Sequence, residues 1–143
     1  MTVELERIRF VVDENLLRLG RALVQLREDV GCFGLKPLDE AFPVGRLDPE
    51  WIPAVGIRGW VVITDDKHLR TRPGEAELAI KHHLKVVHLD GVGHRTRWEQ
   101  LLRLTSHWEA VELAAVSEPE GPWWLALRKS QAVKLPYQPG SPI

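Results

Sequence analysis

Trp60-Val61-Val62-Ile63-Thr64-Asp65-Asp66-Lys67 is the stretch from which the fold is read. A run of β-branched residues suits a buried strand. The run stops abruptly at two carboxylates and a lysine. A buried strand that delivers charge at its tip costs desolvation unless those charges meet partners elsewhere in the chain.

Upstream, Asp48-Pro49-Glu50-Trp51 reads as a helix start, with Asp48 as N-cap and Pro49 at the first helical position. Pro53 lacks an amide hydrogen, so this helix should be short or irregular. Residues 34–47 carry Gly34, Pro37, Pro43 and Gly45 without periodicity and read as one long loop, a feature often tied to function. Ile8 to Val12 is a short strand ended by Asp13-Glu14-Asn15. Leu16, Leu19, Leu23 and Leu26 then recur at helical spacing, with Arg18, Arg21 and Arg27 elsewhere around the wheel. A second strand through Cys32 and Phe33 is weakened by Gly31 and Gly34.

Downstream, Pro73 and Glu75 open a helix with Ala76, Ala79, Ile80 and His83 on one face. Val86 to Leu89 is a strand ended by Asp90-Gly91. Trp98, Leu101, Thr105, Trp108, Val111 and Ala115 line one side of a longer helix running to about Val116. Trp123–Leu127 and Ala132–Leu135 pair as a hairpin across Lys129-Ser130-Gln131. Strand and helix alternate through most of the chain, which predicts an α/β fold with a mainly parallel sheet and helices on both faces. Residues 1–135 form a single domain in this reading, and 136–143 an irregular C-terminal tail.

The 143 residues suffice for one core, and 44% hydrophobic with 27% charged residues fits a soluble globular chain. A formal net charge of -1 argues against a general polyanion binder or a membrane-surface protein, so any nucleic-acid site must be a local basic patch. No apolar run is long enough to cross a bilayer. With its lone cysteine, Cys32, read as a small core residue, the chain reads as cytoplasmic. The six tryptophans read mostly as core, with Trp123 and Trp124 on opposite faces of a strand and one of them free to be exposed. His82, His83 and His88 lack zinc-ligand spacing, and no GxGxxG, P-loop or GxSxG is present.

In a wound sheet, strand C-termini and helix N-termini share one rim, where ligands bind. Asp13, Asp48, Asp65, Asp66 and Asp90 all fall on it. Converging carboxylates repel unless a cation joins them, and a hard divalent ion with oxygen ligands removes that penalty. Such ions activate water against phosphodiesters. Lys67, His68, Arg70 and Arg72 follow the central acids, and His94, Arg95 and Arg97 follow the next strand end. Both groups are placed to hold a phosphate backbone, so the pattern fits a metal nuclease. Each acid also has a plain structural reading. Asp13 and Asp48 suit helix caps, and Asp65, Asp66 and Asp90 suit turns.

Phe10-Val11-Val12-Asp13-Glu14-Asn15-Leu16, Asp48-Pro49-Glu50-Trp51 and Gly59 through Lys67, followed by an Arg-rich turn, together resemble the PIN-like domains. More narrowly they resemble the VapC-like toxin branch, with its pattern DxNL … DxxW … GWVVxTxDK. The resemblance spans roughly residues 8 to 90. It implies a three-layer α/β/α PIN-like fold with a C-terminal hairpin and a Mg²⁺- or Mn²⁺-dependent endoribonuclease. It also implies the toxin of a type II toxin–antitoxin pair, silenced by a cognate antitoxin and often homodimeric. By position it puts the catalytic, metal-holding acids at Asp13, Asp48 and Asp66, with Asp65 as an extra outer acid. Asn15 and Lys67 fall on the family's polar companions, and with Arg70 and Arg72 they are expected to bind the RNA. Glu14, Glu50, Asp65 and Asp90 compete for a fourth acidic position. The rival readings are a PIN-like module that only binds RNA or protein, and a phosphoacceptor receiver domain. The receiver reading lacks a late strand ending in lysine and proline.

Overall fold

The computed structural model describes residues 4–91 and 95–141. Six strands build one sheet: β1 (Phe10–Val12), β2 (Val30–Cys32), β3 (Val61–Thr64), β4 (Lys85–Leu89), β5 (Trp123–Leu127) and β6 (Ala132–Leu135). Their order is β2-β1-β3-β4-β5-β6. All neighbours from β2 to β5 run parallel, and β6 closes the edge antiparallel to β5. The expected α/β fold and C-terminal hairpin are therefore present.

Two apolar layers flank the sheet. On one face α1 (Leu17–Leu26), α6 (Arg97–Ser106) and α7 (Trp108–Ser117) pack Leu19, Leu23, Leu104, Val111 and Ala114 onto Phe10, Val12, Val61 and Ile63. On the other, α2 (Lys36–Ala41), α3 (Asp48–Arg58), α4 (His68–Thr71) and α5 (Pro73–Lys81) bring Leu38, Ile52, Val55, Leu69 and Ala79 onto Val11, Trp60, Val62 and Val86. Every residue of β3 is buried. Burying such side chains contributes about 1.5–3 kcal/mol each, but because both faces are apolar the alternation does not by itself fix the register. The charged tip does: a slip that drew Asp65 into the sheet would bury an unpaired carboxylate.

Several expectations need correction. The stretch 34–47 is not wholly loop, because Lys36–Ala41 is helical with Pro37 in its first turn, and buried Leu38 packs against Gly31. A Cβ on Gly31 would stand 3.0 Å from Leu38 Cδ2, so the glycine that weakens β2 locally is what lets α2 approach it. The helix α3 runs 11 residues through Pro53 rather than breaking. Ile52 and Val55, both fully buried, hold it against the sheet by tertiary packing. It stops at Gly59, whose φ of 70° is left-handed. Asp48 is the first residue of α3, not its side-chain cap: Leu47 occupies the N-cap position, and its carbonyl accepts the amides of Glu50 and Trp51.

The long helix expected to reach Val116 is two helices. They part at His107, whose Nε2 lies 2.7 Å from the Arg128 carbonyl. Trp98 does not join the core; it is 66% exposed. Trp123 and Trp124 do face opposite ways, yet both are buried, one in each layer, because the sheet is covered on both sides. The tail lacks regular structure through Gly140, yet it is tied down. Tyr137 donates to the Leu84 carbonyl at 2.8 Å, and the Gln138 and Gly140 amides donate to the carbonyls of Arg70 and Thr71. Among the described residues no helix is long and apolar enough to cross a membrane.

Candidate active site

The chain leaves β1 toward β2 on one side and β3 toward β4 on the other. The crevice beyond the C-terminal ends of β1 and β3 is therefore a topological switch point, where wound sheets bind ligands. Asp13 follows β1 directly, and its amide donates to the Ile63 carbonyl at 2.9 Å. This is the last rung between the two strands, and it fixes Asp13 at the mouth of the crevice.

Thr64 joins the two strand ends. It is 1% exposed. Its hydroxyl donates to Asp13 Oδ2 at 2.7 Å and accepts the Asp66 amide at 3.0 Å. One buried hydroxyl thus orients both acids. The Asn15 amide donates to Asp13 Oδ1 at 3.3 Å. Asp66 Oδ1 accepts the His68 amide at 2.9 Å and lies 3.2 Å from His68 Nδ1. Asp48 Oδ1 accepts from Trp51 Nε1 at 3.0 Å. Each of the three acids is thereby aimed through one oxygen or both, and the remaining lone pairs are available to a ligand.

A cleft of about 170 Å³ brings these acids together. Asp13, Asp48 and Asp66 line it, with Glu14, Asn15, Arg46 and Trp51. Of the four competitors for a further acidic position, Glu14 is the one in this cleft. Glu50 is exposed outside it, and Asp90 is ion-paired at 3.2 Å with Arg128. Asp65 lines a second, adjoining cleft with Asn15, Leu16, Leu17, Arg18, Arg95, Arg97 and Gln100. The Asp65 carbonyl lies 3.2 Å from Nε2 of buried His88. Burial, with the negative charges of Asp13 and then Asp66 adding to it, holds the Asp65 carboxyl above its ordinary pKa.

The expected phosphate-binding residues separate. Asn15 borders both clefts. Lys67 is exposed at the N-terminus of α4 and lines neither. Arg70 turns away to the tail, donating to the Pro136 carbonyl at 2.9 Å and lying 3.4 Å from Gln138 Oε1. Arg72 donates to Glu75 at 2.8 Å. Arg95 and Arg97 reach the second cleft, whereas His94 lies outside the described residues.

The cation that lines the acidic cleft is Arg46, a residue that no motif or spacing in the sequence singles out. Its guanidinium donates to Asp39 Oδ1 at 2.5 Å and to the Val44 carbonyl at 2.6 Å, and it stacks 4.3 Å from the Phe33 ring centroid. The one sequence signal for it is its place in the long stretch preceding Asp48. Thr64 had a clearer signal: a hydroxyl at the end of a buried apolar strand needs a partner. Cys32 is buried, and burial pushes its thiol up to about 12, so it does not serve as a thiolate nucleophile.

Among the described residues no three His, Cys, Asp or Glu side chains stand close enough to cage a metal ion as they are. The donor set nevertheless suits Mg²⁺ or Mn²⁺: hard carboxylate oxygens, each oriented by a hydrogen bond from behind, beside room for water. Mg²⁺ commonly takes only one or two protein carboxylates and completes its shell with water and substrate phosphate.

Residues 8–91 match the family model described as PIN like domain. The chain belongs to the PIN-like domain family. PIN-like domains are often nucleases and typically depend on metal. The match covers β1 through β4 and so includes every acid of the crevice. No curated protein and no solved structure matches the chain.

Proposed function

We propose that this PIN-like domain is a metal-dependent endoribonuclease, the toxin of a type II toxin–antitoxin pair. The observation that carries the reading is the Thr64 bridge, which ties Asp13 and Asp66 together at the switch point, with Asp48 and Glu14 in the same cleft. Four carboxylates facing one guanidinium make a site that draws in a cation. A bound Mg²⁺ or Mn²⁺ supplies Lewis acidity toward a phosphodiester and lowers the pKa of an attacking water.

The side chains do the rest. Asp13, Asp48 and Asp66 would hold the ion, one or two of them directly and the rest through its water shell, and Glu14 adds the fourth negative charge. Thr64, Trp51 and His68 keep the three carboxylates aimed, which avoids reorganisation during reaction. Arg46, pre-ordered by Asp39 and by the Phe33 ring, presents its guanidinium to a substrate phosphate. Lys67, exposed beside Asp66, reaches toward an approaching RNA strand.

The test is cleavage of single-stranded RNA by the wild type, Asp13→Asn and Asp66→Asn, each with Mg²⁺, Mn²⁺ or chelator. Wild-type cleavage that needs the metal and disappears in both variants supports the assignment, and cleavage that survives both substitutions sinks it. The toxin role is tested by expression in cells: growth arrest by the wild type, absent in Asp13→Asn and relieved by a small neighbouring open reading frame, supports it. The lack of a ready-made three-ligand cage favours one rival, a PIN-like module that binds without cutting. Calorimetry separates the two, since a pure binder takes up no divalent ion near neutral pH.

A further inference from the structure

The second cleft contrasts with the first in charge. Arg18 comes from α1, Arg95 from the segment before α6, and Arg97 from the first turn of α6. They converge from both sides of a space of about 180 Å³. Arg95 lies 3.5 Å from Glu99, while Arg18 and Arg97 have no ion-pair partner among the described residues. Gln100 at the cleft wall is 7% exposed, and its amide makes no side-chain hydrogen bond among the described residues. Three guanidiniums face one carboxylate, that of Asp65, so the cleft is net cationic. Two unpaired guanidiniums held beside a third, with only Asp65 facing them across the cleft, are under-compensated until an anion arrives.

The two clefts adjoin. Asn15 borders both, and Asp65 and Asp66 are consecutive residues with one side chain in each. A polymer with one phosphodiester over the acids must pass its neighbouring phosphates across an adjoining surface. The surface that offers unpaired guanidiniums is the α1–α6 side, not the α4 side, where Arg70 and Arg72 are already engaged.

We infer that the cleft formed by Arg18, Arg95, Arg97 and Gln100 is the backbone track of a single-stranded RNA, holding the phosphates next to the scissile one. The inference rests on the ribonuclease reading and adds the direction in which the strand leaves the site. Guanidiniums bind phosphate oxygens through paired N–H donors, and the amide of Gln100 at the cleft wall supplies a neutral donor and acceptor for a sugar or a base edge.

The experiment is fluorescence anisotropy with a fluorescein-labelled single-stranded RNA of mixed sequence, in chelator, over a range of salt. The Arg18→Ala/Arg97→Ala pair is expected to weaken binding on the order of tenfold and to flatten the slope of log Kd against log salt by about 1.4, roughly 0.7 for each lost phosphate contact. The Arg18→Lys/Arg97→Lys pair keeps most of the wild-type slope, because the charge remains. Both arginines are exposed, so the variants are expected to fold, and thermal melts check it. Wild-type affinity and slope in the alanine pair overturn the inference, as does a lysine pair that behaves like the alanine pair. If the alanine pair loses binding to polyglutamate while holding RNA normally, the cleft belongs to an acidic protein partner and the RNA track is wrong. Binding in chelator is read without cleavage. A wild type that binds RNA through these arginines but never cuts it refutes the ribonuclease reading alone. Metal-dependent cutting with unchanged binding in the alanine pair refutes the track alone.

Discussion

The two ends of the sheet carry similar side chains in opposite arrangements. At the N-terminal ends of β1 and β2, carboxylates and guanidiniums pair off. Arg27 meets Asp29 at 2.8 Å, and Arg9 meets Asp29 at 3.3 Å and Glu112 at 2.8 Å. At the C-terminal ends, Asp13, Asp48 and Asp66 share a cleft with one guanidinium, that of Arg46, which Asp39 and, at 3.8 Å, Glu14 already engage. The first arrangement is what stability alone produces. The second leaves like charges close together, and residues so placed are candidates for function because their mutual repulsion opposes the fold until a ligand arrives. The pKa directions show the same contrast: Arg27, by hydrogen bond and charge, holds the Asp29 carboxyl below its ordinary value, whereas burial and Asp13 hold Asp65 above it.

The largest expected effect breaks the acidic end. A metal contributes several kcal/mol of transition-state stabilisation, so Asp13→Asn should lower the RNA cleavage rate on the order of a thousandfold or more, while the melting temperature in chelator stays level or rises as repulsion is relieved. A fall in melting temperature there would make Asp13 a structural acid like Asp29. Next, Mg²⁺ or Mn²⁺ at a hundred times its Kd should stabilise the wild type by about 2.7 kcal/mol. Calorimetric melts with and without chelator read this, and Asp66→Asn should show little of it.

Thr64→Val keeps the shape but leaves Asp13 Oδ2 and the Asp66 amide without their shared partner. It should cost about 1–3 kcal/mol of stability and roughly 10- to 100-fold in metal affinity, measured by denaturant unfolding and calorimetry. Loss of stability with metal affinity intact would show that the bridge serves only the fold.

The smallest effects concern pH. Because Asp29 is shifted down, its contribution is present above the unfolded carboxylate pKa and is lost as pH falls through the folded value. Asp29→Asn should therefore destabilise at neutral pH, by up to about 1 kcal/mol, and the gap to wild type should close below about pH 4. Asp65 is shifted up, so its favourable contribution is present in acid and disappears as pH rises through the folded value. Asp65→Asn should raise the neutral melting temperature in chelator, with the gain fading in acid. Melting temperatures that shift in the same direction for both substitutions at neutral pH would erase the contrast between the two ends.

Much of this is legible in the sequence. The β3 run, the acids after β1 and β3, the hairpin and the alternation of strand and helix are local patterns, and they recur in the structure. The differences from the expectation come from contacts between residues distant in the chain. Helix α2 lies in a stretch whose Gly and Pro content mimics a loop, and it is held by Leu38 against β2. His107 splits a helix whose apolar spacing runs on, through a bond to Arg128 that lies 21 residues away. Arg70 follows the acids in sequence as a phosphate ligand would, yet the tail takes its guanidinium.

Which residues stand at the rim follows from local sequence, because a strand's end and the charge that follows it are set by neighbouring residues and by the cost of burying an ion. How those charges are shared out depends on the packing of distant elements. It sent Asp65 and Asp66 to different clefts, gave Asp13 and Asp66 a common hydroxyl, brought Arg46 to the acids and turned Arg70 from them. The partner of a charged side chain is chosen by which elements pack together, and those contacts join residues tens of positions apart.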